Sequence, residues 1–132
     1  MSTEKVTKQL AEADFDRFAE EMDIVAPGKD DGEIAAEYEG ARAVIVREIV
    51  RGRMRVEDDG RLSFDPSEGE TIIFNEPTGA DFMAMDRKKA GQGFARTFAF
   101  LEAVTKEPAK RFANMKRRDL TPCAAVVSLF LA

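Results

Sequence analysis

Met54-Arg55-Val56-Glu57-Asp58-Asp59-Gly60-Arg61-Leu62-Ser63-Phe64 is the stretch on which the fold turns. Apolar and polar residues alternate on both sides of Asp58-Asp59-Gly60, the pattern of two half-buried strands joined by a turn. Register decides the turn length. A two-residue Asp59-Gly60 loop sets Val56 opposite Ser63 and sends the two apolar sets to opposite faces. A three-residue loop with Gly60 left-handed pairs Val56 with Leu62 and Met54 with Phe64 on one face, so the longer loop with a bulge at Gly60 is expected. Asp65-Pro66-Ser67-Glu68-Gly69 supplies a second turn and Glu70 to Phe74 a third short strand. The result is a small antiparallel β-meander over about residues 53–74.

Helical periodicity lies on both sides of this meander. Ile34, Tyr38, Ala41, Ile45 and Ile49 follow a 3.6-residue period, widened by Val44, Val46 and Val50, which predicts a helix from Glu33 to Arg51. Asp31 is placed to cap it and Gly52 to end it. Upstream, Leu10, Phe15, Phe18, Met22 and Val25 form a narrow apolar stripe among acids, an amphipathic helix too short to be stable alone. It either packs on the body or waits for a partner, and the Ala26 to Gly32 loop is a candidate hinge. Downstream, Thr78 with Asp81 reads as a capping box for a helix burying Phe82, Met85 and Met83. Arg87-Lys88-Lys89 falls at that helix's negative end, and Ala90-Gly91-Gln92-Gly93 breaks it. Phe94, Phe98, Leu101 and Val104 or Thr105, broadened by Phe100, mark the next helix. Pro108 opens a short one with Phe112 and Met115. Thr121 and Pro122 are expected to start the last, with Val126, Val127, Leu129, Phe130 and Leu131. The fold class is therefore α+β and mostly helical: an acidic helical arm over 1–26, then one compact domain over 27–132 with a helical unit at 72–132.

Composition narrows the chemistry. The 132 residues contain no His and one Cys, which removes the commonest general base and metal ligand and leaves no internal disulfide. Cys123 sits in an apolar run and reads as a small buried thiol in a reducing compartment. Ser63, Ser67 and Ser128 have no His to activate them. Asp30-Asp31-Gly32 lacks the later ligands of a calcium loop, and Gly91-Gln92-Gly93 lacks the strand and third glycine of a nucleotide loop. No enzyme, cofactor or metal is expected. The N-terminus carries no apolar leader, and no run is long enough to cross a membrane.

Charge is unevenly placed. Residues 1–40 hold four basic and twelve acidic side chains; residues 41–132 hold sixteen and thirteen. Lys106, Lys110, Arg111, Lys116, Arg117 and Arg118 form a basic stretch opposed only by Glu107, a candidate phosphate-contacting patch. A net charge of −5 and the lack of a recognition-helix or stacking motif argue against nucleic acid. An acidic protein partner, or the protein's own acidic arm, fits the same charges equally well. Beyond Asp119 the chain has no charged residue, so its apolar end is either a helix buried in the core or a partly exposed surface for a client segment.

The order Ile73 to Pro77, Ala80-Asp81-Phe82, Met85-Asp86, Phe98-Leu101-Thr105, Pro108, Leu120-Thr121 and Val127 to Leu131 resembles the tail assembly chaperones of long-tailed bacteriophages. The resemblance covers residues 71–132, with Phe82 where Leu is commoner. It implies non-enzymatic work in the host cytoplasm: binding the tape measure protein, keeping its apolar helices from aggregating, and helping tail-tube protein polymerise along it. Self-association in several copies and absence from the finished virion are implied as well. The partner surface expected on this reading comprises Phe94, Phe98, Leu101, Phe112, Val127, Phe130 and Leu131, with Lys110, Arg111, Arg117 and Arg118 as a basic shoulder. A structural virion subunit, or a nucleic-acid-binding regulator using residues 106–118, is the alternative.

Overall fold

In the computed structural model, which describes residues 6–87 and 93–131, the hairpin has the register that its apolar pattern requires. Strands β1 (Met54–Val56), β2 (Leu62–Phe64) and β3 (Ile72–Phe74) form an antiparallel sheet in the order β1-β2-β3. Met54 faces Phe64 and Val56 faces Leu62; Leu62 and Phe64 in turn face Phe74 and Ile72. All six side chains share one face and build the floor of the core. Glu57 N–H donates to the Arg61 carbonyl at 2.7 Å and Gly60 N–H to the Glu57 carbonyl at 2.9 Å, closing the three-residue loop. Gly60 has φ 88°, the left-handed backbone of the expected bulge. The third strand starts at Ile72 rather than Glu70, because the Glu70 carbonyl accepts from the Arg111 guanidinium instead of a sheet neighbour.

Helix α1 (Lys8–Glu21) is capped by the Thr7 hydroxyl, and α2 (Glu33–Val50) follows one 3₁₀ turn at Lys29–Asp31. Asp31 does not cap α2. Its carboxylate accepts from Gly28 N–H at 2.7 Å within the 3₁₀ turn, and Gly32 (φ 55°) takes the cap position. Gly52 does end α2: its N–H reaches the Ile49 carbonyl at 3.0 Å and Arg53 N–H the Glu48 carbonyl at 2.9 Å, a Schellman closure. Of the two options for α1, packing on the body is what occurs. Ala11, Phe15, Phe18 and Ala19 are buried, and Arg17 donates to the carbonyls of Val56 (2.9 Å) and Glu57 (2.8 Å) at the hairpin. Leu10 and Val25, expected on the buried stripe, are exposed. Asp23, with φ 56°, turns the chain after α1 and carries Val25 off the helix face.

Helix α3 (Gly79–Asp86) carries the reciprocal Thr78–Asp81 box expected from sequence. The expected break at Ala90–Gly93 and the cations Lys88 and Lys89 lie outside the described residues, apart from Gly93, which opens α4 (Gly93–Thr105). Pro108 stands at the N-cap of α5 (Ala109–Ala113), and α6 spans Arg117–Phe130. Thr121 is therefore inside α6, not its cap. Two contacts hold the earlier start. Asp119 in the first turn accepts from Arg53 at 2.5 Å and from the Ser67 hydroxyl at 3.0 Å. The Arg118 carbonyl, which Pro122 cannot reach, accepts from Arg53 Nη2 at 3.4 Å.

Between sheet and helices runs a chain of rings, Phe15–Phe18–Phe130–Phe100–Phe82, with centroid separations of 6.2, 6.0, 6.3 and 5.4 Å. It links α1, α6, α4 and α3 into one core, over which α2 packs along α6. The architecture is α+β: a three-stranded antiparallel sheet between N-terminal and C-terminal helices.

Two substitutions test this account by urea denaturation. Gly60→Ala puts a side chain on left-handed backbone and its Cβ 2.5 Å from Glu21 Cβ, so a loss of about 2 kcal/mol or more is expected. Phe18→Ala removes a fully buried ring of α1, with an expected loss of about 3–5 kcal/mol; a loss below about 1 kcal/mol would show α1 to be an appendage.

Candidate functional site

Helix α2 runs against α6 in the opposite direction, and two grooves, together the α2–α6 furrow, lie beside the pair, one at each end. At one end Ile34, Tyr38, Thr97, Val127 and Leu131 line a groove of about 400 Å³. At the other, Arg47, Arg51, Arg53, Lys116, Arg117 and Arg118 line a second groove with Glu48 and Thr121. One stripe of α6 serves both. Arg117 and Thr121 face the basic groove, and Ala124, Ser128 and Leu131 the apolar one, at spacings of four, three, four and three.

Further apolar side chains are exposed on α4 and α3. Phe94 lies one turn from Thr97, is 74% exposed, and stacks on Phe98 with centroids 6.1 Å apart. Met83 on α3 is 61% exposed, Ile34 on α2 56%, Leu131 44% and Phe82 36%. Helix α3 was expected to bury Phe82, Met83 and Met85; Asp81 is its one buried residue, Met85 packs partly against the core, Phe82 lies against Phe100, and Met83 is left in water. Burial holds the Tyr38 phenol above its ordinary pKa, and the hydroxyl stays neutral beside this apolar lining.

Residues expected at the partner surface divide between surface and core. Phe94 and Leu131 are exposed, and Phe98 and Phe130 are half-buried. Leu101, Phe112 and Val127 are core residues, with Val127 reaching the apolar groove at its edge. The reason is geometric: on α4 the core takes Phe100, Leu101 and Val104, one step round from the Phe94–Phe98 side. Ile34, expected on the periodic stripe of α2, and Met83, expected on the buried side of α3, are exposed instead. Ile34 lies in the first turn of α2, beside Glu33, before the buried run of that helix begins at Tyr38.

Cationic residues divide in the same way. Lys116, Arg117 and Arg118 make no ion pair among the described residues and project into the basic groove. Arg111 is spent on structure, donating to the Glu107 carboxylate and the Glu70 carbonyl, and Lys110 lines neither groove. Sequence spacing missed Arg47, Arg51 and Arg53. They surround Glu48, which is 1% exposed, at 3.7, 3.3 and 3.3 Å. That carboxylate offsets part of their charge and leaves the groove strongly positive.

Cys123 is fully buried, and burial, reinforced by Asp119, pushes its thiol up to about 12. It is protonated and inert at neutral pH. Among the described residues no group of three or more His, Cys, Asp or Glu side chains could hold a metal ion, and no helix is long and apolar enough to cross a membrane. The arrangement offers an apolar groove and a cationic groove beside α2 and α6. No family model, curated protein or solved structure matches the chain.

Substitution separates surface from core. Phe94→Ser is expected to change stability by no more than about 0.5 kcal/mol, and Phe112→Ala to cost about 3–5 kcal/mol, both read from denaturant midpoints. Comparable losses would mean that Phe94 belongs to the core.

Proposed function

We propose that this protein is a client-holding assembly chaperone that reversibly covers apolar segments of another protein. The client that the resemblance of residues 71–132 designates is the tape measure protein of a long-tailed phage. On that reading the protein works in the host cytoplasm, in several copies along its client, assists the tail-tube protein, and leaves before the virion is complete.

The observation that carries this reading is the set of large apolar side chains, Met83, Phe94, Ile34 and Leu131, left exposed to water on α3, α4, α2 and the end of α6. Burying such a side chain is worth roughly 1.5–3 kcal/mol. A few of them, set against an association cost of about 4–15 kcal/mol, give modest and reversible holding rather than a permanent complex. That suits a chaperone better than a fixed subunit.

Co-expression with a tagged tape measure protein from the same genome is the test. The expected result is a complex that resists aggregation by light scattering and is lost in the Met83→Ser/Phe94→Ser variant, which folds normally. A client that stays aggregated, or recovery of the protein from purified particles in proportion to tube subunits, would overturn the proposal.

A further inference from the structure

We infer that the α2–α6 furrow receives a helical partner segment that is apolar over one half and acidic over the other, laid so that its acids meet Arg47, Arg51, Arg117 and Arg118. The inference rests on the client-holding reading and adds what the client must look like. Two independent features of one surface carry it. The stripe Arg117, Thr121, Ala124, Ser128, Leu131 passes from cationic to apolar along α6, and its small central side chains leave room for a backbone. Facing it, α2 runs the other way, so that Arg47 and Arg51 lie beside Arg117 and Ile34 and Tyr38 beside Leu131.

Charge complementarity selects the acidic half. Lys116, Arg117 and Arg118 have no carboxylate partner among the described residues, whereas Arg42 has two and Arg55, Arg61 and Arg111 each have one. Arginine forks hold carboxylates in a fixed geometry, which would set the direction in which the segment lies. The apolar end favours a peptide over a nucleic acid. A phosphodiester backbone would use the cations alone, without filling the groove between Ile34 and Leu131, and no aromatic ring lines the basic groove to stack a base. From Ile34 to Arg51 the axis of α2 rises ~25 Å, so the partner helix would be about 17–18 residues long.

Fluorescence anisotropy with designed peptides tests the inference on the intact protein. One probe is a labelled peptide of about 18 residues with Glu in its first half and Leu at helical spacing in its second. Another carries Lys for every Glu, and the third is a duplex DNA of matching length. The Glu peptide is expected to bind about 10-fold more tightly than the Lys peptide at low salt, with the gap closing at high salt. In the Arg117→Glu/Arg118→Glu variant the order should reverse. Both residues are exposed, and acids suit the first turn of α6, so the variant is expected to fold. Ile34→Asp and Leu131→Asp should weaken both peptides alike. Equal binding of the two peptides would overturn this inference while leaving client holding intact. Tighter binding of DNA than of the Glu peptide would overturn it in favour of a phosphate-binding surface. Failure of both peptides would count against client holding itself.

Discussion

The Arg53 guanidinium joins the two halves of this protein. It lies between α2 and β1, 3.3 Å from the Glu48 carboxylate and 2.5 Å from that of Asp119 on α6. It also donates to the carbonyl that Pro122 leaves free, and sits 5.0 Å above the Phe64 ring. Arginine alone supplies five donors in a plane that can also stack on an aromatic face, so lysine could not replace it. Helix α6 can start at Arg117, with a proline inside it, because this group absorbs both the buried Asp119 charge and the freed carbonyl. The direction of α6 along α2, and hence the furrow, follows from that start.

Burial in this fold is uneven. The sheet floor and the ring chain from Phe15 to Phe82 take the large side chains of every element. Helix α3 and the beginning of α4 contribute Phe100 and part of Phe82 to that chain and leave Met83 and Phe94 outside. The Thr78–Asp81 box fixes where α3 begins, and the core that the six helices and the sheet enclose does not take in Met83. These exposed apolar side chains are the feature on which the proposed holding function rests.

Charge follows the same division. Pairs that fix loops, such as Arg55 with Asp65 and Arg61 with Asp59, lie at the meander and are partly exposed, so each adds little to stability. The Arg55 guanidinium, with the Thr71 hydroxyl, holds the Asp65 carboxyl below its ordinary range. The stability this contributes is present above the ordinary carboxylate pKa and is lost as pH falls through the depressed value. The furrow cations Lys116, Arg117 and Arg118 have no such duty and remain at the surface of an acidic protein.

What the sequence determined by itself is local. Alternation about Asp58-Asp59-Gly60 set the turn length and register, since a one-residue slip would turn an apolar strand face to water. Period and breakers placed α1 to α5 within a few residues, because Gly52, the Thr78–Asp81 box and Pro108 act through neighbours only. Tertiary structure decided the rest. The start of α6 depends on Arg53 and Ser67, 66 and 52 positions from Asp119 in the chain. Which of Phe94, Leu101, Phe112 and Val127 reach solvent depends on how α4 and α6 rotate against the core, and a periodic stripe does not specify that angle. The basic groove joins Arg47 and Arg51 to residues 116–118 only when α2 and α6 lie side by side. Local rules act over one turn of chain, whereas a binding surface is assembled from helices that are distant in sequence.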